Sequence, residues 1–255
     1  MTSIDAKLDR AHKHINDLAA AITEFLATHP YRTAFYDDPQ TGKRQLQLFF
    51  AAETPASILA IGGDVLNNLR SALDHLAWQL IKAGGNTPGA HTGFPIFDAA
   101  PKYVAGAKGK IGGARPDAIK AIDAIQPYQG GNGDALWRLH ALNNIDKHRD
   151  LVTVGATIAN ARFSQHALAG SMAPLGAGAA GGAVDLTVKA PFLLKEGDEF
   201  SIEGVPDSQI NENVEIACTI ALAEPGIVQG KPLSEALEEM FNFTDGVVTT
   251  LKPYL

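Results

Sequence analysis

Residues 64–78 read DVLNNLRSALDHLAW, and this stretch predicts the long helix around which the rest of the chain is arranged. Its leucines recur three and four positions apart, which is the spacing of one face of an α-helix. The periodic pattern extends from about Ser57 to Ala83, and the pair Gly84-Gly85 ends it. The helix therefore presents a continuous apolar face that it must bury.

The pattern on either side of this helix predicts four more helices and six strands. The helices cover about residues 3–28, 116–125, 134–149 and 232–251. The strands cover about residues 31–36, 44–50, 152–161, 183–190, 199–203 and 214–223. The loops are predicted at the basic stretch 101–115, at the Gly/Ala-rich stretch 167–182 and at the turn 226–230.

The order of these elements predicts the fold class. The strands are grouped instead of alternating with helices, which is typical of an α+β fold with a mainly antiparallel sheet. We expect N-terminal helices with a β-hairpin, followed by the sheet and a C-terminal helix, with the hairpin able to join the later strands. Residues 1–255 are predicted to form a single composite domain, mainly helical over 1–150 and a sheet plus terminal helix over 151–255.

The composition excludes several classes of protein. The chain has 255 residues, of which 45% are hydrophobic, so dominant disorder is excluded. Cys218 is the only cysteine, which excludes an internal disulfide and a cysteine-based zinc site. The start of the chain does not resemble a signal peptide, and no apolar run is long enough to span a membrane. We therefore expect a cytoplasmic protein with no membrane partner.

The charge is distributed unevenly along the chain. The net charge is −7, yet residues 101–150 carry eight basic and five acidic groups. Residues 151–255 carry five basic and thirteen acidic groups, and such an acidic part repels DNA. We therefore expect no DNA partner, whereas a small local anion site is compatible with the middle of the chain.

One side of the long helix carries an unusual set of polar side chains. The residues that lie away from the leucines are Asn67, Arg70, Ser71, Asp74, His75 and Trp78. A solvated helix face typically carries more lysine and glutamate than this. Arg70 and Asp74 are four residues apart, so their side chains are neighbours on the helix surface.

The helix predicted over 134–149 places polar residues on its apolar side. Asn143 and Asp146 fall in the same sector as the leucines at 136, 139 and 142. A carboxylate buried without a partner costs several kcal/mol, so Asp146 needs a basic neighbour. We predict that this neighbour is Arg70, and that the two helices pack so that Arg70, Asp74 or His75 approaches Asn143 and Asp146. The binding residues of such a site are Asn67, Trp78, Asn143, Asp146 and His148.

Three interpretations of this cluster are open, and two of them follow from the residues alone. In the first, Arg70, Asp74, Asn143 and Asp146 form a network that only docks two helices of a non-catalytic binding or structural protein. In another, His75, His140, Asp146 and His148 hold a metal ion in a hydrolase, because His140, Asn144 and His148 are spaced by four.

The remaining interpretation comes from a resemblance. Residues 70–75, Arg-Ser-Ala-Leu-Asp-His, resemble the motif of the HEPN (higher eukaryotes and prokaryotes nucleotide-binding) superfamily: an arginine, a polar residue, three to five further residues and a histidine. The resemblance implies a metal-independent endoribonuclease or nucleotide-binding protein that needs no cofactor and acts on RNA as a homodimer. Carried over, His75 is the general acid and base, Arg70 holds the phosphate, and Asp74 lies beside them in the catalytic set.

A wider resemblance covers about residues 55–150. The segments Asn-Leu-Arg-Ser-Ala-Leu-Asp-His, Phe-Pro-Ile and Leu-Asn-Asn-Ile-Asp-Lys-His-Arg together are similar to segments of uncharacterised bacterial proteins. This second resemblance implies no activity.

Overall fold

The structure is a computed structural model that describes residues 2–37, 39–40, 44–149, 151, 153–163, 184–186, 199–201 and 214–255. The helices in these ranges are α1 (Ser3–Ala27), α2 (Ala56–Ala83), α3 (Ala100–Ile111), α4 (Pro116–Ile125), α5 (Asp134–Asp146) and α6 (Leu233–Leu251), followed by a 3-10 turn at Lys252–Tyr254. The strands are β1 (Tyr31–Asp37), β2 (Arg44–Phe50), β3 (Thr153–Phe163), β4 (Val184–Leu186), β5 (Glu199–Ser201), β6 (Val214–Glu224) and β7 (Val228–Pro232). The predicted mixed fold, with an early hairpin and a terminal helix, is confirmed.

α1 and α2 pack against each other and form the centre of the helical part. The start of α1 is fixed by a capping box, in which Asp5 N donates to Thr2 Oγ1 (3.2 Å) and Thr2 N donates to Asp5 Oδ2 (3.0 Å). The leucine side of α2 is fully buried, as its periodicity predicts. α5 and α6 also contact α2, so this helix is covered on several sides.

The strands form two small antiparallel sheets. β1, β2 and β5 make the first sheet, in which Tyr31 pairs with Phe50 across the hairpin. The second sheet has the order β4-β3-β6-β7 and packs against α1 and α6 through β6. Among the described strands, the hairpin therefore pairs with β5 and not with the sheet built on β3 and β6.

The predicted solvated loop at 101–115 is wrong, because α3 occupies most of it. Tyr103, Ala107 and Ile111 are four residues apart and buried, so α3 has an apolar face despite its three lysines. Gly106 permits this packing, since a Cβ at that position would meet the Phe97 ring at 2.6 Å. The predicted turn at 226–230 is also shorter than expected, because β7 begins at Val228. The stretch 167–182 lies outside the described residues.

None of the described helices is both long and apolar enough to cross a membrane.

Candidate functional site

α2 and α5 pack together, as the polar residues on the apolar side of α5 predicted. One close contact and one charge effect define how they align. A Cβ on Gly63 would overlap the carboxylate of Asp146, and Arg70 lies close enough to His140 for its charge to lower the pKa of that histidine. Residue numbers increase along α2 while they decrease along α5, so the helices are antiparallel.

Arg70 is bound to its own helix and to the segment that follows it. Arg70 Nη2 donates to Asp74 Oδ1 at 2.8 Å and to the Phe94 carbonyl at 3.1 Å. The Phe94 amide in turn donates to Asp74 Oδ1 at 2.9 Å. Gly93 is close to the pair, because a Cβ there would lie 3.0 Å from the same carboxylate oxygen. The backbone at Gly93-Phe94 therefore holds the Arg70–Asp74 ion pair in place.

The predicted ion pair between Arg70 and Asp146 is not formed. The acid beside Arg70 is Asp74, whereas Asp146 lies against Gly63 and is partly buried. Gly63 and Arg70 are seven residues apart, which is about 10 Å along a helix at ~1.5 Å per residue. The antiparallel alignment of the two helices brings His140, and not Asp146, within range of the guanidinium charge.

His140 is the functional candidate that sequence reasoning placed only in a metal site. Burial, followed by the charge of Arg70, lowers the pKa of His140 to about 4, while Asp74 and Asp98 act in the opposite direction. The ring is therefore neutral at pH 7. Asn144 Nδ2 lies 3.1 Å from His140 Nε2, and an amide donating there leaves the imidazole proton on Nδ1. His140 lies one helical turn before Asn143, and this spacing was the signal by which the sequence could have placed His140 at the interface.

Several buried polar atoms at this interface have no hydrogen-bond partner among the described residues. They are Arg70 Nη1, His140 Nδ1, and both side-chain atoms of Asn143, which is 1% exposed. Asn143 lies on α5 between His140 and Asp146, so the three residues share one side of the interface. Unsatisfied buried groups are uncommon in folded proteins, and a bound water, an ion or a functional role accounts for many of them.

The other predicted site residues lie elsewhere. Asn67 and His148 are exposed, and Trp78 is 45% exposed. His75 is partly buried, and its Nδ1 also has no partner among the described residues. It follows Arg70 by five residues, so the two side chains project about 140° apart around α2. The structure thus joins Arg70 to Asp74, places His140 within range of both charges, and directs His75 to a different side of α2.

The predicted metal ligands do not converge. No three His, Cys, Asp or Glu residues in the described ranges form a group that could hold a metal ion. His140 and Asp146 are six residues apart, about 9 Å along α5, and His148 is exposed. No protein-family model, curated protein or solved structure matches the chain.

Proposed function

We propose that the protein acts in the cytoplasm and binds a phosphate-bearing ligand, RNA or a nucleotide, between α2 and α5. One observation carries this proposal. Arg70 Nη1 and His140 Nδ1 are buried donors on neighbouring helices, and neither has an acceptor among the described residues. A phosphate group offers several acceptor oxygens and forms its strongest hydrogen bonds with a guanidinium.

The protonation states of the two donors are compatible with an anionic ligand. Arg70 is 12% exposed, and burial lowers its pKa while Asp74 partly offsets that effect. A guanidinium nevertheless stays charged at neutral pH. His140 is neutral there, so it contributes a donor without a second buried charge. The amide of Asn143 can add a further donor from the same side.

The burial of the two nitrogens has a kinetic consequence. Each exposes almost no surface, so a phosphate reaches them only after the surrounding side chains move. Binding that requires such a rearrangement is slower than docking on a preformed surface. We therefore expect slow association for the ligand.

Binding is favoured over RNA cleavage because of the position of His75. The HEPN resemblance makes His75 the general acid and base, and such a group must reach the atoms next to the phosphate that Arg70 holds. The two side chains of one chain project about 140° apart. Cleavage, and the homodimer that the resemblance implies, are therefore outcomes of the test and not the proposal itself.

The test measures binding of inorganic phosphate, AMP and a short fluorescein-labelled RNA by calorimetry and fluorescence anisotropy. We expect Arg70→Gln to weaken binding by about tenfold, which is the effect of losing one charge-assisted hydrogen bond. Arg138→Gln is the matched control, because Arg138 is on α5 and pairs with Asp134 at 2.8 Å. Circular dichroism shows whether each variant is folded. Arg70→Lys keeps the charge without the planar fork, so it tests whether charge alone is enough for binding.

Two results would overturn the proposal. One is the absence of saturable binding to the unmodified protein with all three probes. The other is an equal loss in Arg70→Gln and Arg138→Gln, which would mean that only net charge matters. RNA cleavage that persists in EDTA and disappears in His75→Ala would replace binding by catalysis, and sedimentation measures whether a dimer accompanies it.

A further inference from the structure

A mainly apolar groove lies between α3 and α4, and none of its lining residues belongs to α2 or α5. Its volume is about 530 Å³. Small-molecule sites in proteins typically have volumes of about 300–1,000 Å³ and combine apolar walls with a few polar groups. The groove is therefore large enough for a small ligand.

The walls of the groove are aromatic and aliphatic. The rings of Tyr103 and Tyr128 lie 5.7 Å apart, and Phe97 packs edge-on against Tyr103 at 6.0 Å. Ala107 and Ile111 continue this surface along α3. Val104, at the rim, is 80% exposed, which leaves an apolar side chain beside the opening in contact with water.

Two features fix the positions of residues in the wall of the groove. Tyr103 Oη donates to Asp123 at 2.6 Å, and burial together with this hydrogen bond raises the pKa of the phenol. Gln126, which lines the groove, has a left-handed backbone with φ 53° and ψ 60°. A left-handed residue commonly ends a helix, and here it turns the chain from α4 toward Tyr128.

The lysines of α3 give one side of the groove a positive charge. α3 contains three lysines and no acidic residue. Asp117 of α4 pairs with Arg115 at 2.6 Å, whereas Asp123, which also lines the groove, keeps its negative charge and accepts a hydrogen bond from Tyr103. Lys108 lines the groove and has no ion-pair partner among the described residues.

We propose that this groove binds a small amphipathic carboxylate, with its aliphatic body against Val104, Ile119 and Tyr128 and its carboxylate at the Lys108 ammonium. The apolar walls favour the body of the ligand through the surface that it removes from water. The unpaired lysine selects an anion over a neutral or cationic head group. The proposal is independent of the phosphate site at Arg70.

The experiment uses decanoate as the probe, below its micelle-forming concentration, with calorimetry on the full chain. Decanol and decyltrimethylammonium have the same alkyl body with a neutral and a positive head. We expect saturable decanoate binding, weaker decanol binding and the weakest binding for the cation. Lys108→Gln should weaken decanoate by about three- to fivefold, as expected for an exposed ion pair, and leave decanol unchanged.

Two further variants make the result decisive. Lys120→Gln is the matched control, because Lys120 is an exposed lysine on α4 that does not line the groove. Val104→Asp places an acid at the rim without disturbing the core, and should weaken decanoate more than decanol. Non-saturable decanoate binding, or equal losses of binding in Lys108→Gln and Lys120→Gln, would overturn the proposal. Concentration-dependent dimers that Val104→Asp dissociates would also overturn it, because they would assign the groove to a second copy of the chain.

Discussion

Two arginine–carboxylate pairs in this molecule are built in opposite ways. In the Arg70–Asp74 pair the cation is buried, with 12% of its side chain exposed, whereas Asp74 is 38% exposed. In the second pair the anion is buried, with Glu224 2% exposed against 51% for Arg149. Arg149 donates to both oxygens of Glu224, at 3.0 and 2.8 Å, and so attaches the segment after α5 to the end of β6.

We interpret the Arg149–Glu224 pair as a docking pair, which holds two elements together, and the Arg70–Asp74 pair as a candidate binding contact. Arg149 meets its carboxylate with two parallel hydrogen bonds, which is the strongest geometry for this pair. Arg70 uses Nη2 for both of its bonds and has Nη1 without a partner in the described part of the chain. A buried donor in that state is available to a ligand, so we expect the Arg149 pair to matter for stability and the Arg70 pair for binding.

The largest effect on stability is expected when the docking pair is broken. Arg149→Ala leaves the buried Glu224 carboxylate without its bidentate partner and should lower the free energy of unfolding by about 3 kcal/mol. Urea denaturation measures this loss. Phosphate binding between α2 and α5 should be unchanged, and combining Arg149→Met with Glu224→Met should recover most of the stability, because both charges are then removed. A loss below the error of the measurement would show that the pair contributes nothing.

The next prediction concerns the close approach of α2 to α5. A Cβ in Gly63→Ala would collide with Asp146, and overpacking of this kind should cost about 2 kcal/mol. Gly62→Ala is the control one residue away, where the nearest atoms are leucine methyls of α6 at 3.9 Å. That change should instead stabilise the protein by about 0.5–1 kcal/mol, the helix preference for alanine over glycine. Equal effects at the two positions would contradict the position given to Asp146.

The pH dependence of stability tests the environment of His140. Its pKa falls from 6.5 in the unfolded chain to about 4 in the folded one, so the unfolded state takes up the proton first as the pH decreases. The stabilisation is present above pH 6.5 and is lost between about pH 6.5 and 4. After allowance for partial exposure, we expect a loss of about 1 kcal/mol between pH 7 and 5. In His140→Gln this part of the pH dependence should disappear, as denaturation at each pH will measure.

The smallest expected effect is on the titration of His140 itself. Arg70→Gln removes one charge that lowers its pKa, so that pKa should rise, while burial keeps it below the ordinary value. An NMR titration of the imidazole measures the change, and Arg138→Gln should leave it unaltered. No rise in Arg70→Gln would place Arg70 farther from His140 than the structure does.

Much of the fold was predictable because helix periodicity is a local property. The buried leucines of α2 and the apolar residues of α1 and α6 are those that the spacing selects. α3 was missed because its lysines and glycines resemble a loop, and its apolar face has only Tyr103, Ala107 and Ile111. That face is recognisable once Phe97 is known to pack over Gly106, which is a contact between different elements.

The candidate site was predictable only in part. The sequence placed Arg70 and Asp74 as neighbours, since four residues make one helical turn, and indicated that α5 carries polar groups toward α2. It assigned Asp146 to Arg70 because charge complementarity does not specify the alignment of two helices. The neighbour of Arg70 on α5 is His140, and its acceptor outside α2 is the Phe94 carbonyl, which no side-chain pattern encodes.

Sequence alone thus determined which segments become helices and strands, and which polar residues lie on apolar faces, because both follow from periodicities within a segment. Tertiary structure decided which of those residues meet. The antiparallel packing of α2 and α5, with Asp146 against Gly63, depends on steric fit between side chains far apart in the chain. That fit leaves two buried nitrogens, Arg70 Nη1 and His140 Nδ1, without an acceptor in the described structure.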